Sequence, residues 1–128
     1  QKAADQGLAM AEYAIGMKYI SGEGVPKNDT KAVEWYQKAA DQGLAIAQAL
    51  LGYMYDNGKG VPQNYTKAVE WFQKAADQGD AGAQLNLGAM YEYGQGVPRS
   101  KLKALEWYRK SASQGNATAL ADVKRLEH

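Results

Sequence analysis

The chain has 128 residues, 45% of them hydrophobic and 23% charged, with a formal net charge of +1. That balance is globular, so disorder is not expected, and no apolar run approaches the length of a membrane span. Cysteine is absent and histidine occurs once, which removes a disulfide frame, a thiolate metal site and a cysteine nucleophile, while the near-neutral charge argues against general nucleic-acid binding.

The dominant pattern is a repeat. GVPKNDTKAVEWYQKAADQGLA at 24–45 returns almost unchanged at 60–81, and a third copy begins at Gly96. Val25, Val61 and Val97 are 36 residues apart, as are Trp35, Trp71, Trp107 and Gly43, Gly79, Gly115. A fixed period of this size marks a solenoid, in which each unit buries its apolar face against its neighbours. One array is expected: the end of a truncated unit at 1–7, full units at 8–43, 44–79 and 80–115, and a terminal helix at 116–128.

In chain order, Gln1 to Gln6 read as the last turns of a helix whose beginning lies upstream. Gly7 is its expected stop, since glycine accepts the left-handed conformation there. Leu8 to Ile20 is the first helix of a unit, recurring at Leu44 to Asp56 and Asp80 to Glu92. Ala11, Ile15, Lys18 and Tyr19 fall on one stripe at helical spacing and are expected to pack. Ser21 to Lys27 reads SGEGVPK, with counterparts NGKGVPQ and YGQGVPR. Paired glycines and an X-Pro step exclude a continuing helix, and without strand context or P-loop lysine spacing the Gly-x-Gly reads as a structural turn.

Asn28, Asn64 and Ser100 then stand as N-caps of the second helices. Over Asp29 to Gln42 the apolar set is Ala32, Val33, Trp35, Tyr36, Ala39 and Ala40, with the tryptophan expected to supply most of the buried area. Glu34 with Lys38, Glu70 with Lys74 and Glu106 with Lys110 are i to i+4 pairs for the solvent face. Arg99, Lys101, Lys103, Arg109 and Lys110 cluster around Glu106 and read as a solvated face. The chain then turns at Gly115 and opens a last helix with Asn116 as cap. There Lys124 replaces the repeat's glycine and Glu127 its tyrosine, as in a polar end cap, and Leu126-Glu127-His128 resembles the start of a vector-encoded polyhistidine tag.

The recurring positions Ala11, Ile15, Gly16, Tyr19, Gly22, Gly24, Val25, Asn28, Lys31, Ala32, Trp35, Ala39, Ala40 and Gly43 resemble the motif of the Sel-1-like repeat family, relatives of tetratricopeptide repeats. The chain departs from it where Leu8 and Leu44 replace the Asp or Asn that opens the first helix, as Asp80 and Asn116 do. The resemblance implies an all-α fold, a right-handed α-solenoid of antiparallel helix pairs, used as an adaptor for proteins or peptides. It also implies that the first helices line the concave side.

A binding site is therefore expected at first-helix positions that vary between units. The stripe Met10, Tyr13, Met17, Ile20 is distinct from the packing stripe, and its counterparts are Ile46, Ala49, Tyr53, Asp56 and then Gly82, Leu85, Ala89, Glu92. It runs from apolar and methionine-bearing to small and acidic, which suits a peptide with an apolar anchor and a basic tail. Asp56 and Glu92 read as solvated charges rather than a catalytic dyad, since no Ser-His-Asp, Cys-His or metal-ligand spacing supports them. No catalytic residue, metal or cofactor is expected. The alternative is an architectural segment of a longer array, or one that self-associates through exposed ends; a hydrolase-like enzyme is the contrasting class.

Overall fold

The computed structural model describes residues 2–127, with side chains over 6–127. Among the described residues the chain forms seven α-helices and no strand: α1 Lys2–Ser21, α2 Asp29–Asp41, α3 Ala45–Asn57, α4 Tyr65–Asp77, α5 Ala81–Tyr93, α6 Lys101–Ser113 and α7 Ala117–Glu127. Each helix packs on the next in sequence, giving an α-solenoid of three 36-residue helix pairs.

The helix ends follow local chemistry. Asn28, Asn64 and Ser100 accept from the backbone N–H of Lys31, Lys67 and Lys103 at 3.0, 3.0 and 3.1 Å. Asp80 and Asn116 do the same for Ala83 and Ala119 at 2.9 and 2.8 Å, each satisfying a donor the helix itself cannot. Leu44 makes no side-chain cap and packs against the first core cluster instead.

Gly7 does not stop its helix: α1 runs straight through it, with no left-handed turn. The other turns show why. Gln48 donates to the Ala40 carbonyl at 3.2 Å, while Gln78 donates to the Gly43 carbonyl at 2.9 Å and to Gln48 Oε1 at 2.8 Å. Gln84 and Gln114 repeat this on Ala76 and Gly79, at 3.2 and 2.8 Å. The first unit carries Glu12 in place of that glutamine. A carboxylate only accepts, so Glu12 takes a hydrogen bond from Gln42 and has no donor to pin the preceding turn.

Within a pair, the helices meet at glycine. A Cβ on Gly16, Gly52 or Gly88 would lie 2.7, 2.7 and 2.6 Å from the rings of Tyr36, Phe72 and Tyr108. Those rings are the largest fully buried side chains, whereas Trp35, Trp71 and Trp107 are only half-buried. The core aromatic is thus the residue after the expected tryptophan, because one step around the helix turns it onto the glycine. The tryptophans instead carry the lysines: Lys38, Lys74 and Lys110 Nζ lie 4.3, 4.5 and 4.5 Å from their ring centroids. The expected Glu–Lys pairs do not form among the described residues, since the indole face attracts the same ammonium along a partly desolvated flank.

Between units, Ala47 packs with Ala39 and Ala40, and Ala83 with Ala75 and Ala76. Gly60 and Gly96 press on the start of the preceding second helix, where a Cβ would meet the Asp29 and Tyr65 carbonyls at 2.5 Å. The stripe expected to pack in the first unit is only partly covered. Ile15 and Tyr19 are half-buried, but Ala11 and Lys18 are exposed, because no second helix lies against Ala11 as α2 lies against Ala47.

These two kinds of glycine separate in an unfolding experiment. Gly88→Ala should destabilise by about 1 to 3 kcal/mol, overpacking on Tyr108 outweighing the gain in helix propensity. Gly7→Ala, with nothing within 4 Å of the added carbon, should stabilise by about 0.5 to 1 kcal/mol. Urea denaturation of both variants checks the pair, and a Gly88→Ala protein as stable as its parent would rule out the close approach.

Candidate interaction surface

The first helices α1, α3 and α5 present the same positions side by side. Met10 and Met17 on α1 and Ile46 and Tyr53 on α3 are 50, 43, 42 and 46% exposed, large apolar side chains that the core does not use. Beside Met10 lies an open cleft of ≈ 380 Å³ bounded by Gln6, Leu44 and Gln78. The remaining expected site residues support this surface more than they line it. Tyr13 is half-buried, its ring centroid 5.9 Å from that of Tyr36. Ile20 packs on the first core, Ala49 on the second and Leu85 on the third, and Ala89 is half-buried.

The two acids, expected to be alike, diverge. Asp56 is half-buried, and burial pushes its carboxyl above the usual range. Glu92 is buried and fully engaged, not solvated: Arg125 donates to Oε2 at 2.6 Å and to Oε1 at 2.8 Å, and the Tyr108 hydroxyl donates to Oε1 at 2.8 Å. Arg125 also reaches Asp122 at 3.1 Å. The Arg125 hydrogen bonds hold Glu92 below the ordinary glutamate range against the opposing cost of burial, and the Tyr108 hydroxyl helps. The Tyr108 phenol is pushed far up, by burial first and by the Glu92 carboxylate second. Tyr36, whose unit carries Ile20 rather than an acid at that repeat position, is pushed up to about 12 by burial and Tyr13.

Arg125 was missing from the expected site, though a signal existed. It stands one period after Ala89, two after Tyr53 and three after Met17, so α7 brings a cation to the same stripe. The basic cluster of α6 is exposed as expected: Arg99, Lys101, Lys103, Arg109 and Lys110 all face solvent, with Arg109 paired to Glu127 at 2.7 Å.

The Glu92 network gives stability a defined pH dependence. A carboxyl lowered in the folded state stabilises above its unfolded-state pKa, and that contribution is lost as pH falls through the folded-state value. Glu92→Gln should therefore lower Tm at pH 7, and the gap from the parent should shrink as pH drops below the ordinary glutamate value of about 4.3. Thermal melts across pH 2 to 7 check this; a gap independent of pH would mean the pair contributes nothing through its charge.

The family model described as Sel1 repeat matches residues 9–44, 45–80 and 81–116. Among solved structures, the chain is similar to c5321, a protective antigen present in uropathogenic Escherichia coli strains that displays an SLR fold, at 47% identity and a TM-score of 0.86 over 91% of this chain and 25% of that one. It is similar to a Sel1 repeat protein from Oxalobacter formigenes at 42% identity and a TM-score of 0.87, over 90% of this chain and 47% of that one. It is also similar to Helicobacter pylori cysteine rich protein B, at 26% identity and a TM-score of 0.74, over 94% and 92% of the two chains. The chain thus spans a quarter and just under half of the first two structures it matches. No curated protein matches it. Sel1-like repeats are in general protein-interaction scaffolds, and no helix among the described residues is long and apolar enough to cross a membrane. With three matched units laid end to end on helix pairs of this shape, the chain belongs to the Sel1 repeat family.

Proposed function

We propose that this array is a scaffold that binds a protein or peptide segment along its first helices, on the face carrying Met10, Met17, Ile46 and Tyr53. The observation that carries this reading is the exposure of four large apolar side chains at two repeat positions on adjacent helices. Tyr13, Ile20 and Ala49 pack against the core clusters and anchor the same helices. Methionine and tyrosine suit such a face, since one adapts in shape and the other offers a rigid ring at low entropic cost. Solvated polar positions flanking an apolar centre are the anatomy of an interface.

A second reading, association with another array or another copy, is favoured by a different observation. Ala11 is exposed where Ala47, Ala83 and Ala119 are buried. A Cβ on Gly24 would likewise meet nothing within 4 Å, where one on Gly60 or Gly96 would strike a neighbouring helix. This face of the first unit therefore has the shape of an inter-unit seam, and Ala11→Glu would block its use.

Two measurements separate these readings. Tyr53→Ala should weaken capture of a peptide selected on the parent protein by about tenfold or more, as for an interface aromatic, with helicity by circular dichroism unchanged. Equal capture by both forms would remove this surface from the assignment. Light scattering over a concentration series should show a monomer of about the sequence mass, 13.9 kDa; a dimer that Ala11→Glu abolishes would favour the seam.

A further inference from the structure

The third unit satisfies its acid and the second leaves the corresponding acid without a partner. Glu92 is surrounded by Arg99, Tyr108, Asp122 and Arg125. One period earlier, the same positions around Asp56 hold Gln63, Phe72, Asn86 and Ala89. Both side-chain donors to the Glu92 carboxylate, Tyr108 and Arg125, are thereby exchanged for residues without a donor, both arginines for neutral residues, and the amides of Gln63 and Asn86 make no hydrogen bond to the Asp56 carboxylate. Phe72 has no hydroxyl, and Ala89 ends at its Cβ. Gln63 does reach across, but its amide donates to the Asp56 backbone carbonyl at 2.8 Å, as Arg99 Nε does to that of Glu92 at 3.1 Å. Among the described residues the Asp56 carboxylate has no ion pair and no side-chain hydrogen bond, although it is half-buried.

We infer that Asp56, with Tyr53 beside it and Ala89 across from it, is the seat for an arginine side chain of a bound partner, filled as Arg125 fills the equivalent place at Glu92. The fold itself supplies the template, a guanidinium entering from the neighbouring first helix and gripping the carboxylate with two nitrogens, at 2.6 and 2.8 Å. Ala89 stands where Arg125 stands one unit later, so the side chain that would fill the seat from within has been cut back to a methyl. Tyr53 lies three residues before Asp56 on α3, on the same helix face, and is exposed. Its ring can stack with a planar guanidinium while the carboxylate takes the bidentate hydrogen bonds, a combination that selects arginine over lysine. The inference rests on the reading of the first helices as a partner-binding face and specifies that partner: a segment with an apolar residue for the Met17 and Ile46 side and an arginine next to it.

The test uses an array of ten-residue peptides, each with one apolar anchor and one arginine, alongside versions carrying lysine or citrulline. The protein should capture arginine peptides about tenfold or more above their citrulline versions. Asp56→Asn should erase that preference while keeping capture by the anchor. Ala89→Arg should erase it too, by filling the seat from within, and should raise Tm. Equal capture of arginine and citrulline peptides by the parent protein would overturn the seat and leave the apolar surface standing. Should no peptide bind, the surface reading fails, and acetyl-arginine methylamide decides the seat alone. A shift of the Asp56 carboxyl carbon resonance with it, absent with acetyl-citrulline methylamide, supports the seat; no shift with either refutes it.

Discussion

The architecture depends on one contact, the glycine of each first helix lying flat against an aromatic ring of the second. Gly16, Gly52 and Gly88 leave no room for a methyl, so Tyr36, Phe72 and Tyr108 are enclosed to within 2% of full burial. A large ring removed from water contributes on the order of 2 to 3 kcal/mol of transfer free energy per unit. The close approach also lets Ala32, Ala68 and Ala104 disappear completely into the same interface. The cost is a glycine in mid-helix, roughly 1 kcal/mol against alanine, which the ring contact exceeds. Because packing is concentrated there and along the alanine seam between units, the opposite side of each first helix is free to vary. Met, Ile and Gly at one position and Met, Tyr and Ala at another are consequences of that freedom.

Units are joined by a polar seam as well as an apolar one. The glutamine ladder from Gln78 through Gln48 to the Ala40 carbonyl, repeated from Gln114 through Gln84 to Ala76, gives turn carbonyls that already accept from the Gly43 and Gly79 N–H a second donor from the next unit. It works only where both glutamines are present, each donating with its nitrogen and accepting with its oxygen. Glu12 breaks the chain of donors, and the turn before it opens into continuous helix. The first unit, where a carboxylate stands in place of the donating amide, is also the one in which helix continues through the glycine. In a quasi-one-dimensional fold such a change stays local, since each unit touches only its neighbours.

Much of this could be read before any coordinates. The period, the spans of the helices after α1 to within a residue or two, the loop glycines and all five N-caps follow from spacing and side-chain chemistry, which are local. What escaped depended on contacts between helices. The choice of Tyr36 over Trp35 as the core ring is a difference of one step in helical phase, too fine for an apolar pattern in which both positions are aromatic. Lysine pairing with tryptophan rather than glutamate is a competition between neighbours on one surface, and sequence spacing allows both. The run of helix through Gly7 coincides with Glu12 standing where later units carry a glutamine that donates back across the turn, a contact that spacing alone does not show. Glu92 looked solvated because Arg125 lies 33 residues away and meets it only when consecutive units stack.

The acids at positions 56 and 92 show how a repeat protein can be specialised without changing its frame. The repeat places an acidic side chain at the same position in both units, one methylene shorter at Asp56, and the earlier unit has Ile20 there. Where a tyrosine hydroxyl and an arginine from the next first helix converge, the carboxylate becomes part of the array and closes its surface. Where phenylalanine and alanine stand instead, the same carboxylate keeps the cost of partial burial with no internal compensation. A partly buried carboxylate without an internal cation is a site where a partner's cation gains more than at a fully solvated one. In the proposed seat the cation that Arg125 supplies to Glu92 would come to Asp56 from the partner instead, so one repeat position closes the surface in the third unit and leaves it open in the second.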